Sequence, residues 1–360
     1  VAETPKPFAA PHARAQYARA RTYDLAHLRL DITLDLVRRF VRGVAALRFA
    51  PLHDGLRTAE FDLAAPLRVA GVRSGTGRPL RFERDGDRLR IDLGRTSRAG
   101  HPIDVVVDYA GQPLRGLYFT APDADHPQRP LGVWSQGQDE DSKHWFPCFD
   151  SPHDKFTSEV VATVPAPLQV ISNGRLVATR ANRRAGTVTY HWREDLPHPA
   201  YLVSIVAGEY AEVRDTTAAG VPISYYVHPR DRNAVRRTFG NTPRMLELFA
   251  RLVDYPYPFE KYAQTVVADF IFGGMENVSA TTLTDAVLLD ATAALDSDSD
   301  GLIAHELAHQ WWGNLLTCKE WSHAWLNEGF ATYFEAVWAE HHRGRDWFRW
   351  EIEQFEREYL

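Results

Sequence analysis

The sequence predicts a multidomain chain, β then α+β: a β-rich N-terminal domain over residues 1–210, then an α+β domain over 211–360. Three observations lead there. At 360 residues the chain is too long for one ordinary hydrophobic core. Its first part alternates apolar and polar residues with a period of two. Near residue 211 the spacing changes to one that suits helices.

Leu28, Leu30, Ile32, Leu34 and Leu36 alternate with Arg29, Asp31, Thr33 and Asp35, which marks a strand with one buried face. The alternation returns from Val41 to Phe49 and through Ile103, Val105, Val107 and Tyr109. Asp85-Gly86 lies between two such runs and signals a hairpin. Strand-like pieces continue at 160–164, 187–192 and 201–207. Clean alternation of this kind predicts mostly antiparallel sheet. Ahead of it, Arg14, Arg19 and Arg21 read as a solvated basic tail. Beyond 211, Asp231 is placed to cap a helix reaching about Val253, broken or kinked at Pro243. Tyr255-Pro256-Tyr257-Pro258 ends it, and a strand follows at 265–272. A helix is expected over 301–315 and another from Asn327, as its cap, to His342, stopping at Gly344. A last helix begins at Asp346.

Composition removes several function classes. Hydrophobic residues make up 44% and charged residues 24%, the balance of a folded globular chain. A net charge of −6 gives no support to nucleic-acid binding. No apolar run reaches the length of a membrane-spanning helix. Cys148 and Cys318 cannot form a disulfide framework or a cysteine zinc site, and read as buried free thiols.

His305-Glu306-Leu307-Ala308-His309 is an H-E-x-x-H string on an expected helix. The i, i+4 spacing puts both imidazoles on one face, close enough to share a zinc ion. Glu306 falls on the neighbouring face, within reach of a metal-bound water without being a ligand. Glu328 lies 19 residues past His309 and supplies the third ligand of a His₂Glu site, leaving a fourth position for water. Thr332, one turn later, is placed to orient a ligand. Asp296, Asp298, Asp300 and Gly301 resemble the opening of a calcium loop, but Leu307 stands where the bidentate glutamate belongs. They read instead as a polar loop capping the helix. Trp311-Trp312 reads as core packing, and His341-His342 as favourable charge at a helix end.

From His305 through Gln310-Trp311-Trp312-Gly313-Asn314, and again from Trp325 to Ala331, the chain resembles the gluzincin zinc aminopeptidases. That family, peptidase family M-one, includes alanyl and leucyl aminopeptidases and leukotriene hydrolase. A second likeness is Gly273-Gly274-Met275-Glu276-Asn277, matching the family's G-x-M-E-N exopeptidase motif. A third is Ser135-Gln136-Gly137-Gln138 followed by Trp145-Phe146-Pro147-Cys148-Phe149-Asp150. The resemblance implies a thermolysin-like catalytic domain, present here in its N-terminal part, with one zinc per chain on His305, His309 and Glu328. It implies that Glu306 assists attack of the metal-bound water, and that Glu276 and Gln138 hold the free amino terminus of a peptide substrate. Gln136 and Met275 join the substrate site, while Gly273 and Gly274 let backbone approach the substrate.

The expected function is therefore removal of N-terminal residues from peptides. The doubled glycine keeps a leukotriene-hydrolase-like epoxide hydrolase as the alternative. A non-catalytic metal-binding scaffold is the other, and the intact Glu306 argues against it. The resemblance also implies an oxyanion-stabilising tyrosine roughly 60 residues past Glu328, beyond Leu360, where Tyr333 and Tyr359 cannot stand in for it. The expectation is a fragment whose C-terminal remainder packs against it as another chain.

Overall fold

The first alternating stretch becomes the strand Tyr23–Asp35, with Leu28, Leu30, Ile32 and Leu34 buried and Asp31 and Thr33 exposed. The structure, a computed structural model, describes residues 19–359. This strand is the middle of a seven-stranded sheet. The order is Arg175–Asn182, Thr187–His198, Phe156–Pro165, Tyr23–Asp35, Phe40–Pro51, Ile103–Gly111 and Arg68–Ser74. All neighbours are antiparallel except Tyr23–Asp35 with Phe156–Pro165, which run parallel. A three-stranded sheet, Thr58–Asp62, Arg88–Asp92 and Arg81–Asp85, packs on it. Its hairpin turns at Asp85-Gly86, where Gly86 has φ 56°, a left-handed angle that glycine adopts without strain. Tyr23, Phe49 and Phe61 interlock in the core with ring centroids 4.9–5.6 Å apart.

A four-stranded sheet, Gln169–Ser172, Ile205–Gly208, Gly132–Ser135 and Leu117–Thr120, leads toward the second region. The strand expected from 201 begins only at Ile205, because Ala200–Leu202 forms a single 3₁₀ turn after Pro199. The basic stretch is also corrected, with Arg14 lying outside the described residues. Arg19 grips buried Asp62 through bonds of 2.7 and 2.8 Å, and Arg21 bonds buried Asp154 at 2.6 Å. A carboxylate taken out of water needs a cation partner, and these arginines supply it.

From Ala211 the chain builds a five-stranded mixed sheet. Its order is Ala211–Thr216, Pro222–Val227, Tyr262–Val267, Ala280–Thr284 and the short edge strand Gly274–Met275. The helix expected from Asp231 is three pieces: a 3₁₀ stretch Pro229–Ala234, α1 (Val235–Phe239) and α2 (Thr242–Val253). His228, not Asp231, caps the first, and the break falls at Gly240-Asn241. Pro243 sits in the first turn of α2, where its missing N–H has no partner to lose. The next strand begins at Tyr262 and ends at Val267, and the chain then turns through Asp269 with φ 60°.

Three helices follow: α3 (Asp300–Ala308), α4 (Trp325–Arg343) and α5 (Arg345–Tyr359). α3 ends seven residues short of the expected 315, and a tight non-helical turn through Gly313 replaces its last part. Asp300 anchors it, accepting from Asn241 Nδ2 at 2.8 Å and Trp338 Nε1 at 3.0 Å, which ties α3 to its neighbours. α4 starts two residues before Asn327, so Asn327 is no cap. Its buried amide instead accepts from the Cys318 N–H at 3.0 Å and donates to the Tyr201 hydroxyl at 3.3 Å. Trp311 is buried as expected, and Trp312 stacks on Phe330 at 4.4 Å. Both cysteines are free and buried. Trp134, Ile171, Tyr201 and Val206 of the β-rich region join the second core, so the two regions share a packed interface. Among the described residues, no helix is long and apolar enough to cross a membrane.

Candidate active site

α3 carries His305, its C-terminal cap is His309 one turn later, and the first turn of α4 brings Glu328 to them. The two Nε2 atoms are 3.0 Å apart, and each lies 3.4 Å from Glu328 Oε2. A tetrahedral ion with bonds of about 2.1 Å has ligand–ligand edges of about 3.4 Å, so the three donors already outline one face of a zinc polyhedron.

The far side of each ring fixes its tautomer. His309 Nδ1 lies 2.8 Å from the Trp312 carbonyl, which can only accept, so Nδ1 carries a hydrogen and the inward Nε2 is the nitrogen whose lone pair a metal would take in place of a proton. His305 Nδ1 lies 2.7 Å from Glu335 Oε1, to the same effect. Thr332 makes no hydrogen bond to any of the three. Glu335, seven residues past Glu328, orients the ring instead.

The electrostatics call for a cation. Burial opposes charge on His305, but its bonds to Glu328 and Glu335 outweigh burial and push it up to about 11. Burial likewise opposes charge on His309, yet Glu276 and Glu328 push it up to about 9. Burial favours a neutral Glu328, but the two imidazoles hold its carboxyl far below the usual range. A divalent ion would take the place of those protons.

Glu306 is buried on the neighbouring face with Oε2 unpartnered, and burial pushes it up to about 7. Its carboxyl occupies the space that a Cβ at Gly274 would need. The doubled glycine is thus explained by packing: Gly273 takes φ 82° in a turn, and Gly274 makes room for Glu306. Glu276 is also buried, with Oε1 unpartnered and its carboxyl pushed upward by burial. Gln138 donates to Glu328 Oε1 at 3.4 Å, and Gln136 donates to Met275 Sδ at 3.1 Å. Gln136, Gln138, Phe272, Gly274, Glu276, Glu306, His305, His309 and Glu328 line one open cleft of about 450 Å³. A larger crevice of about 800 Å³, lined by residues between Ser74 and Val105, contains none of these groups, so chemistry and not size selects the site.

Residues 67–202 match the Peptidase M1 N-terminal domain, and residues 237–359 match the Peptidase family M1 domain. The chain belongs to peptidase family M1. It is 32% identical to Aminopeptidase M1 of Arabidopsis thaliana over 224 residues, 61% of this chain and 25% of that protein. It is 31% identical to Endoplasmic reticulum aminopeptidase 1 of Homo sapiens over 245 residues, 66% of this chain and 26% of that protein. The matches thus span about a quarter of these relatives' length. In fold it is similar to a crystal structure of an M1 zinc metallopeptidase mutant from Deinococcus radiodurans. The TM-score is 0.77 at 23% identity, covering 94% of this chain and 76% of that one.

Three site residues of this M1 chain were not legible as such. Glu335 had only its i+7 spacing from Glu328, two turns along α4, to betray it. Gln310 and Asn314 lie within the motif, yet their task is to donate to the Glu276 carbonyl, at 3.0 and 2.7 Å. That contact joins positions 34 and 38 residues apart, which no local pattern encodes.

Proposed function

We propose that this chain carries the zinc site and the substrate-amine site of an aminopeptidase that removes N-terminal residues from peptides. The observation that carries the reading is the convergence of two buried carboxyls, Glu306 and Glu276, each with one oxygen unpartnered, on the cleft lined by His305, His309 and Glu328. Zinc on those three ligands would supply Lewis-acid activation of the scissile carbonyl and of a water.

The chain's own groups divide the remaining work. Glu306 takes the proton from the attacking water and delivers it to the leaving amine, and its burial, which favours the protonated carboxyl, suits it to hold that proton between the two transfers. Glu276 pairs with the substrate's α-ammonium, and the low dielectric of its surroundings strengthens the pairing. Gln138, its amide hydrogen engaged by Glu328, offers an amide oxygen to the same ammonium. Gly274–Met275 is the edge strand of its sheet, with backbone groups free on one side to align an extended peptide. Gln136 and Met275 brace each other beside it, where the first side chain of the substrate would lie.

Metal analysis and hydrolysis together test this. His309→Ala is expected to lose the zinc. Glu306→Gln is expected to keep one zinc per chain and lose about 10²–10⁴-fold in turnover of aminoacyl p-nitroanilides. Full activity in Glu306→Gln would overturn the mechanism.

A further inference from the structure

The segment that carries Glu276 leaves regular structure after Met275, yet side chains hold it almost atom by atom. The Glu276 carbonyl takes Gln310 Nε2 and Asn314 Nδ2. The Val278 carbonyl takes Asn173 Nδ2 at 2.7 Å. The Ser279 N–H donates to Gln310 Oε1 at 3.0 Å, so one glutamine amide clamps both ends of the segment. The Ser279 carbonyl takes Lys261 Nζ at 3.0 Å, and the Ser279 hydroxyl takes the Gly174 N–H at 2.7 Å while donating to Glu194 Oε2 at 3.2 Å. Ser279 has φ 58°, a left-handed angle costly for a residue with a Cβ, so these bonds hold it there against its own preference.

The clamps come from two sources. Gln310, Asn314 and Lys261 belong to the helical region. Asn173, Gly174 and Glu194 belong to the β-rich region, where Asn173 is itself locked by the Ser204 N–H at 2.7 Å and Glu194 by the Leu196 N–H at 3.0 Å. Glu194 is fully buried, and its companion Lys261 also donates to the Ser172 carbonyl at 3.0 Å and lies 5.1 Å from the Trp192 ring centroid. Such groups are expensive to bury and are kept where geometry matters.

We infer that Asn173 and Glu194 are positioning residues for amino-terminus recognition: acting through Val278 and Ser279, they fix the place of the Glu276 carboxyl. The inference rests on the reading of Glu276 as the ammonium partner. The β-rich region would then set exopeptidase specificity by aiming a carboxylate it does not itself contain, in addition to lending Gln138. An ion pair to a buried carboxylate is sensitive to displacement, and a shift of about 1 Å in a positioned group costs up to about 100-fold.

The test uses two probes on the zinc-loaded protein, leucine hydroxamate and N-acetyl-leucine hydroxamate, with zinc content measured in every sample. Both can reach the metal, and only the first offers an ammonium to Glu276. Wild type is expected to prefer the free amine, and Glu276→Ala to lose that preference. Asn173→Ala and Ser279→Ala are each expected to cut the preference by about tenfold or more. Their affinity for the acetylated probe should stay within about twofold and their zinc content should not change. In a Glu276→Ala background the same substitutions should change the preference no further. If Asn173→Ala does not fold, Ser279→Ala, which deletes only a hydroxyl, carries the test. Full preference in the folded single variants, or an equal loss with Glu276 already removed, overturns the inference. Equal binding of both probes by wild type would instead overturn the reading of Glu276 on which it rests.

Discussion

Glu335→Ala should weaken zinc binding without touching a ligand. In the structure Glu335 Oε1 accepts from His305 Nδ1 at 2.7 Å, and the carboxylate is about one-fifth exposed, with a side-chain accessibility of 22%. Removing it frees the ring to rotate and takes away the anion that makes Nε2 a better donor. Partners of this kind are worth about 10–100-fold in metal affinity, or about 1.4–2.7 kcal/mol. Partial exposure places the expected loss toward the lower half of that range. Glu335→Gln keeps an acceptor oxygen and should lose less. Thr332→Ala, at the position the spacing suggested but the structure does not use, should lose nothing. Competition for zinc against a chromophoric chelator measures all three. Glu335→Ala binding zinc within about twofold of wild type would refute the argument, as would a larger loss in Thr332→Ala.

Other expectations follow from the folded core and its titrating groups. Phe49 is fully buried against Tyr23 and Phe61, so Phe49→Ala should cost about 3–5 kcal/mol in urea unfolding; a loss below about 1 kcal/mol would contradict the packing. His198 is buried and pushed down to about 4 by burial, with Nδ1 2.8 Å from the Leu196 carbonyl. Its unfolded value is near 6.5, so as pH falls through 6.5 the unfolded chain takes up the proton first and stability drains until about pH 4. Unfolding measured at pH 6.5 and 4.5 should show His198 contributing roughly 2–3 kcal/mol to the acid loss, and His198→Gln should have a correspondingly shallower pH dependence; an unchanged slope would contradict the burial argument.

The cluster of His305, His309 and Glu328 was legible because helical periodicity is local: five residues of H-E-x-x-H fix one face, and Glu328 falls in the first turn of the next helix. The strands were legible for the same reason, since alternation around Leu28 or Val105 reports which face is buried. What escaped depends on contacts distant in sequence. Asn327 carries the chemistry of a cap, but the helix starts at Trp325 and the side chain is needed by Cys318 and Tyr201. Arg19 and Arg21 read as a tail because nothing nearby announces that Asp62 and Asp154 will be buried against them. Pro243 was expected to break a helix and begins one, because Gly240-Asn241 had already ended the previous piece. Glu194 and Asn173 sit in strand and turn sequence of ordinary appearance, and only the folded interface brings Glu194 to Ser279 and Asn173 to Val278.

The central claim is that a carboxylate reserved for a free amine stands beside a zinc-type His₂Glu site. The most direct measurement is kcat/KM for leucine p-nitroanilide against its N-acetylated form, in wild type and in Glu276→Ala, with zinc content held equal. The account predicts a strong preference of wild type for the free amine and its collapse in Glu276→Ala, at a cost of several kcal/mol for the free-amine substrate, on the order of the penalty for stripping a buried charge of its partner. Equal cleavage of the two substrates by wild type would contradict it.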